Sequence, residues 1–425
     1  MTQVIFDLEI HSKYARAVSK EMVPEKLAEW AAIKGMKVMA TGDFTHPLWL
    51  KELKEKLEPA EPGLFKLKKP VSVRAGETRF LLSGEVSCIY SKAGAVRRVH
   101  NLIYAPSFAV ADKINAQLSI IGNLKSDGRP ILGLDSKKLL RILKDSSPDA
   151  HLICAHCWTP WFGVFGSKSG FNSLEECFEE LTPQVFAVET GLSSDPSMNW
   201  RIPFLDNKAI VSGSDAHSLP RIGREATVLD IEELSYRNIF EAIKTQDPNH
   251  FKFTIEFFPE EGRYHYDGHR DEKHSQIPEE TKKAGGKCAK CGKNVTIGVM
   301  ARIDDLAASD RPAGFKPSKP RPPFKNLIPL DQIIADALGL SGVASKKVGE
   351  EYNNLINKIG NEFKILLEAP RSDLEAATLS EIAEGIMRVR EGKVEIEPGY
   401  DGEYGKIKIF AEGERKSISK QTSLF

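Results

Sequence analysis

The chain has 425 residues, 41% of them hydrophobic, enough to bury a sizeable core and to divide into two or three domains. Lysine plus arginine and aspartate plus glutamate both number 59, so overall charge neither draws nor repels nucleic acid, and any electrostatic footprint must be local. The composition excludes a solvated tail, and no run of about 18 apolar residues reads as a membrane span. With an N-terminus that opens on the strand-like MTQVIFDLEIHS, a soluble cytoplasmic protein is expected. Six cysteines in so long a chain make no disulfide framework: Cys88, Cys154, Cys157 and Cys177 are expected reduced and packed, and only Cys288 and Cys291 are spaced as metal ligands.

In chain order, residues 1–255 alternate apolar β-type runs with amphipathic stretches, the pattern of a parallel-strand α/β layout. Strands are expected at Val4–Leu8, Val38–Thr41, Phe80–Ser83, Val99–Tyr104, His151–Ala155, Val185–Val188 and Ala209–Ser212. Helices are expected at Pro24–Lys34, with Pro in the first turn and Gly35 at the end, and at Ser173–Leu181 and Ile231–Thr245. Residues 256–323 turn to Gly, Lys, Asp and His, enclose Cys288-Ala-Lys-Cys291, and end in a Pro-rich basic connector carrying Arg311, Lys316, Lys319, Arg321 and Lys325. Residues 324–410 read as mainly helical from Leu330 to about Gly392, with a short strand pair near Val394–Ile396 and Ile407–Phe410; residues 411–425 read as a polar, flexible tail.

Several strand ends carry ligand-type side chains. Asp7, Glu9 and His11 alternate at period two, so they share one strand face. Taken alone, such a face is more often simply solvated. However, Glu85 follows a Gly84 break, His100 and His156 sit at apolar strands, and Gly213-Ser-Asp215-Ala-His217 ends another strand. In a closed barrel the C-terminal ends of different strands converge on one mouth, which gives these distant residues a common site. Imidazole and carboxylate ligands in one pocket hold divalent cations suited to phosphate ester chemistry.

Those segments, DLEIHS, TGDFTH, GEVS, VHNL, CAHC and GSDAHS, resemble the motifs of the PHP (polymerase and histidinol phosphatase) family, in order over about 220 residues. The resemblance implies an α/β fold, a PHP-type distorted (β/α)7 barrel, followed here by a small zinc-binding module and a mostly helical C-terminal domain. It implies up to three metals: one on Glu9, His11, Glu85 and Asp215, a second on Glu85, His100 and His156, a third on Asp43 or His46 with His217. The chain departs from the family pattern where Glu9-x-His11 replaces His-x-His, where Asp43-Phe-Thr-His46 spreads an Asp-His pair, and where Lys13-Tyr-Ala-Arg16 lacks a further His. That harder ligand set holds zinc but suits Mn²⁺ or Mg²⁺ better. Over nearly the whole chain, with Tyr266-Asp-Gly-His269-Arg, the Cys288 pair and Thr296-Ile-Gly-Val included, the sequence is similar to the endonuclease Q branch of that family, DNA-repair nucleases that nick 5′ to uracil, hypoxanthine, xanthine or an abasic site. The expected activity is therefore a metal-dependent endodeoxyribonuclease, nucleoid-associated and monomeric, on damaged double- or single-stranded DNA.

Cys288 and Cys291 provide half of a tetrahedral zinc site, completed by His269 and His274, with His265 an acceptable alternative by spacing. The role is structural, because so polar a segment cannot fold on burial alone. After His156 comes a loop with Trp158, Trp161, Phe162, Phe165 and Lys168, suited to stacking an extruded base; a packed lid explains it equally well. Asn199 and Arg201 are further expected DNA contacts. Gly339-Leu-Ser-Gly342 before Lys346 has the form of a helix-hairpin-helix turn, a phosphate-binding device. Gln421, Leu424 and Phe425 resemble the start of a sliding-clamp-binding motif. Glu189 and Asp195 are the expected water-orienting or proton-shuttling groups. Two rival readings remain: a phosphatase of a small phosphorylated metabolite, and a non-catalytic DNA-binding adaptor on a decayed scaffold.

Overall fold

The computed structural model describes residues 1–411 and Glu414. Ten strands build its main sheet: β1 Thr2–Asp7, β2 Val38–Ala40, β3 Arg79–Lys92, β4 Ala95–Ala105, β5 His151–Cys154, β6 Ala187–Glu189, β7 Ala209–Val211, β8 Ala226–Ile231, β9 Phe251–Glu256 and β10 Phe324–Asn326. Their spatial order is β7-β6-β5-β4-β3-β2-β1-β8-β9-β10, with Leu57–Pro59, Phe65–Leu67 and Ile131–Leu132 attached at the flank. β1, β2 and β3 are mutually parallel, as are β5, β6 and β7. The two sets are joined through β4, which runs antiparallel to β3 and β5, while β8 runs antiparallel to β1 and β9.

Within the expected α/β fold, the parallel-strand layout is thus realised as a mixed sheet. The cause is local: Lys92 pairs with Ala95 across a two-residue turn in which Ala93 and Gly94 both have positive φ, 52° and 74°. Such a turn matches strand twist and folds β3 directly onto β4. The expected helix over Ile231–Thr245 is likewise shortened to Tyr236–Thr245, since the residues up to Ile231 complete β8.

The sheet curls until its ends meet. Ile10 bridges Ala216, the Ser212 N–H donates to Thr227 Oγ1 at 3.1 Å, and the Ser212 hydroxyl donates to the Ile255 carbonyl at 2.9 Å. Alternate residues Phe6, Val38, Leu81, Leu102, Ile153, Ala187 and Leu229 pack inside the curl with Tyr236 and Phe240, and the opposite strand faces pack under helices. Removing this apolar surface from water stabilises the curl by about 25 cal/mol for each Å² buried.

In the following segment Asp267–His269 pairs with His274–Gln276, and the Val299–Leu306 helix lies against the barrel. Arg302 on that helix donates to the Phe165 carbonyl at 2.9 Å, the Phe171 carbonyl at 3.0 Å and Asn172 Oδ1 at 2.9 Å. The basic connector is tied down as well: Arg311 grips both oxygens of Asp206 at 2.6 and 2.8 Å, and Arg321 donates to the Lys208 carbonyl at 2.6 Å. Beyond it, helices Leu330–Ala337, Lys346–Ile359, Arg371–Ala377 and Ser380–Arg390 pack together, followed by the antiparallel pair Glu395–Glu397 with Lys406–Lys408. A buried ion pair fastens this part to the barrel. Lys34 Nζ lies 2.7 Å from Glu362, which also accepts from the Leu330 N–H at 3.2 Å and the Tyr352 hydroxyl at 2.5 Å.

Candidate metal centre

Glu9 and His11 follow β1, Glu85 and His100 face each other's strands on β3 and β4, His156 follows β5, and Asp215 with His217 follows β7. The structure brings them together into three overlapping groups, each with ligand atoms within 4.8 Å: His11, Asp215 and His217; Glu85, His100 and His156; Glu9, Glu85 and Asp215. All but Asp215 and His217 are buried. His11 Nε2 stands 3.1 Å from Glu85 Oε2 and 3.2 Å from Asp215 Oδ1. His100 Nδ1 lies 2.5 Å and His156 Nε2 3.3 Å from Glu85 Oε1.

The donor chemistry fits divalent metals. Both Glu9 oxygens, His11 Nε2 and Asp215 Oδ1 are buried without a hydrogen-bond partner, a costly state unless a cation shares them. Asp43 sits 3.0 Å from His11 Nδ1, which fixes the tautomer that leaves a lone pair on Nε2, and Thr159 Oγ1 does the same for His156 Nδ1 at 3.0 Å. Asp43 is therefore corrected from ligand to orienting group, since its other oxygen accepts the Ser12 N–H at 2.6 Å. His46 joins none of the groups; it stacks on Tyr14 at 4.5 Å, carried away from the cluster by the two extra residues after Asp43.

Electrostatics divide the carboxylates. Burial, reinforced by Glu189, Asp215 and Glu85, holds Glu9 well above the usual carboxylate range. Burial also pushes Glu189 up to about 7; its Oε2 accepts the His156 N–H at 2.9 Å. Glu85 is driven the other way: burial opposes its charge, but Arg129 and His100 outweigh it and hold it well below that range. Burial likewise opposes a charge on His11, yet Asp43, Asp215 and Glu85 hold its pKa well above the usual value, so a cation would take the Nε2 lone pair only by displacing a proton.

Arg129, 3.0 Å from Glu85 Oε2, was not signalled by the sequence, because Asp127-Gly-Arg129-Pro looks like any turn. Gly128 is required there: a Cβ would meet Asp43 Oδ2 at 2.4 Å. Asp7 also proves important, accepting the Ser214 and Gly223 N–H groups at 2.9 and 3.0 Å and so anchoring the Asp215 turn. Asp43, His156 and Asp215 have positive φ, 51°, 27° and 47°, a strain that non-glycine residues carry mainly at functional sites.

Several expected contacts are corrected. Asp195 caps the Pro196–Asn199 turn, accepting from the Met198 N–H at 2.9 Å and the Ser197 hydroxyl at 2.7 Å, and joins no ligand group. Trp158 and Phe165 are fully buried, Trp158 Nε1 donating to Asn199 Oδ1 at 2.8 Å, so neither aromatic nor Asn199 is available to DNA. Arg201 is buried and paired with Asp304 at 2.5 Å. Trp161 is 38% exposed beside Tyr264, ring centroids 5.4 Å apart, and Phe162 lies 4.3 Å from the His100 ring. Lys168 and Lys346 are exposed, Gly339 has φ 66°, and Gly342 lies beyond that turn in the connection to the Lys346–Ile359 helix. His269, Cys288 and Cys291 form a fourth group, whereas His274, opposite His269 on the ribbon, falls outside it. His265 is also outside, pushed down to about 4 by burial. Cys88, Cys154, Cys157 and Cys177 are free and buried as expected; Gln421, Leu424 and Phe425 lie outside the described residues.

Comparison with known proteins extends this geometry to the whole chain. Residues 329–393 match a family described as MJ0043 C-terminal domain, and residues 206–248 one described as PHP-associated. An uncharacterized Methanocaldococcus jannaschii protein, MJ0043, is 34% identical over 262 residues, 59% of this chain; the chain spans only 31% of that relative's length. An uncharacterized Bacillus subtilis protein, YqxK, is 29% identical over 420 residues, 96% of this chain and 100% of the relative. The crystal structure of the lesion-specific endonuclease PfuEndoQ from Pyrococcus furiosus superposes with a TM-score of 0.84 at 28% identity, over 99% of each chain. Endonuclease Q solved with a 27-mer duplex carrying an abasic lesion at its active site superposes with a TM-score of 0.83 at 30% identity, over 97% of this chain and 98% of that one. With its mixed, curled sheet and its ligand cluster on the strand ends, this chain belongs to the endonuclease Q family of the PHP superfamily.

Proposed function

We propose that the chain is a metal-dependent DNA-repair endonuclease, hydrolysing the phosphodiester 5′ to a deaminated base (uracil, hypoxanthine or xanthine) or an abasic site. One observation carries the reading: the His and carboxylate groups converge at the mouth of a chain that matches, from end to end, an endonuclease solved on lesion-bearing DNA. Glu9, His11, Glu85 and Asp215 would hold one metal and Glu85, His100 and His156 a second, with His217 beside the first. Zn²⁺, Mn²⁺ or Mg²⁺ bound there supplies a water of lowered pKa and neutralises charge on the scissile phosphate.

The protein's own groups prepare that chemistry. Asp43 and Thr159 orient His11 and His156, Arg129 holds Glu85, and Glu189 is placed to hold a proton beside Glu9 near neutral pH. Trp161 and Phe162 supply ring faces for a base held out of the duplex, and Lys168 a charge for the backbone. The Gly339-to-Lys346 turn grips a phosphate at the start of the Lys346–Ile359 helix. Zinc on His269, Cys288 and Cys291 shapes the intervening module, and the tail through Gln421, Leu424 and Phe425 engages a sliding clamp.

Purified protein on duplexes containing uracil, hypoxanthine, an abasic site or no lesion, with Mg²⁺, Mn²⁺ or EDTA, tests the proposal. A single nick 5′ to the lesion, lost in EDTA, is expected. No lesion-dependent nick under any metal overturns it, and hydrolysis of p-nitrophenyl phosphate alone identifies a phosphatase.

A further inference from the structure

Behind the floor of the mouth lies a group of oxygen atoms with no part in the chemistry above. β8 pairs with β9 so that Ala226 faces Ile255 and Thr227 faces Thr254. Continuing that antiparallel register by one residue puts Glu225 opposite Glu256. Both are 0% exposed. Like charges directly opposed across two strands are destabilising, and here no bulk water screens them.

Each carboxylate is half satisfied. Glu225 Oε1 accepts the Phe257 N–H at 3.2 Å, and Glu256 Oε2, 3.3 Å from the Ser212 hydroxyl, shares that single proton with the closer Ile255 carbonyl at 2.9 Å. Glu225 Oε2, Glu256 Oε1 and Thr254 Oγ1 have no aligned hydrogen-bond partner, although the Thr254 and Thr190 hydroxyls lie near enough to Glu256 to favour its charge. Thr254 is 1% exposed and, two residues before Glu256, presents its hydroxyl on the same strand face. The nearby Arg224 does not resolve the pair, because its guanidinium donates to the carbonyls of Ser214 at 2.9 Å and Asp215 at 3.4 Å.

We propose that Glu225 Oε2, Glu256 Oε1 and Thr254 Oγ1 bind a hard divalent cation of the Mg²⁺ or Ca²⁺ class, at a site separate from the metals of the mouth. The donors are all oxygen, with no imidazole or thiolate, which selects a hard ion over zinc. Two carboxylates balance two positive charges, so the site becomes neutral when filled. Burial otherwise pushes both carboxyls well above their usual range, and Glu189 adds to the repulsion on Glu225. A cation here therefore also relieves the negative potential behind Glu189, linking occupancy of this site to the floor of the mouth.

Metal content separates this site from a merely protonated pair. The full chain is equilibrated with Mg²⁺ or Ca²⁺, freed of excess ion, and analysed by mass spectrometry for wild type, E225Q, E256Q and T254V; glutamine keeps the carboxylate's shape without its charge. E225Q and E256Q are expected to hold one hard cation per chain fewer than the wild type, whatever the mouth takes up, with that ion's occupancy reduced several-fold in T254V and transition-metal content unchanged. Crystals of the wild type soaked in Mn²⁺ should give an anomalous peak between Glu225 and Glu256, a measurement that does not depend on any variant folding. No such peak, or glutamine variants that retain the wild-type hard-metal content, overturns the proposal. So do glutamine variants that melt higher than wild type in saturating Ca²⁺ or Mg²⁺, because they identify a pair neutralised by protons.

Discussion

At the barrel mouth the candidate ligands sit inside a structure that hydrophobic burial has already built; in the Cys288 module the ligands are most of what there is. The largest fully buried side chains, Trp49, Trp158, Tyr104 and Phe6 among them, all lie within residues 1–255. Between His265 and Gly298 the buried apolar side chains are Pro278, Cys288 and Val295, and Cys291 is exposed. The mouth even carries backbone strain at Asp43, His156 and Asp215, which only a well-packed surround can impose. On the proposed reading, metal at the mouth would serve chemistry, and metal on His269, Cys288 and Cys291 would serve folding. The same element can serve opposite ends depending on how much apolar surface surrounds it.

That contrast can be broken at either end. The largest effect is expected from His156→Ala: nicking falls by about a thousandfold or more as the Glu85 group loses a ligand, while circular dichroism and melting temperature change little. A variant that nicks at the normal rate removes the metal mechanism. Next, Cys288→Ser should expose the amides of residues 265–298 to hydrogen exchange without reaching the barrel strands. If barrel amides exchange equally, the two regions share one folding unit and the contrast fails. Within the aromatic loop, Trp158→Ala should cost about 3–5 kcal/mol of stability, because it empties a buried site. Trp161→Ala should leave stability unchanged and weaken lesion-DNA binding by about tenfold to a hundredfold, the loss of one stacked base. Equal melting temperatures for the two variants would contradict the burial difference.

The smallest effect concerns pH. Burial raises Glu189 to about 7 and Asp7 to about 6, so the folded state binds protons more tightly than the unfolded chain. Their contribution to stability is full below the ordinary carboxylate range and is lost as pH rises through about 6 and then 7. Metal-free protein should therefore melt a few degrees lower at pH 8 than at pH 5, and Glu189→Gln should flatten part of that slope. A melting temperature that rises across this range would reverse the assignment.

Much of this was legible in the sequence. Period-two apolar runs located seven strands, and Pro24 with Gly35 marked both ends of the Pro24–Lys34 helix. The scattered Glu9, His11, Glu85, His100, His156, Asp215 and His217 were legible as one site because barrel topology makes strand ends converge. What stayed hidden was partnership. Nothing in one dimension tells that Asp43 orients His11, that Arg129 reaches Glu85, or that Asn199 and Arg201 satisfy Trp158 and Asp304. A polar residue is equally at home facing solvent, DNA or a buried neighbour, and only packing decides. The antiparallel β3–β4 hairpin was hidden for a similar reason, resting on a positive φ at Ala93 that its side chain does not advertise.

The Lys34–Glu362 pair has a mechanical consequence. Two opposite charges buried at 2.7 Å, braced by Tyr352 and the Leu330 N–H, form a weld rather than a hinge, since parting them would strand both away from water. The strand-end mouth and the Gly339 turn therefore move as parts of one casting. If a duplex is held at both places as proposed, it would meet a stiff frame, and any bending would fall to the nucleic acid. Sites that bend easily, where a lesion has already weakened the stack, would fit this frame at the least elastic cost.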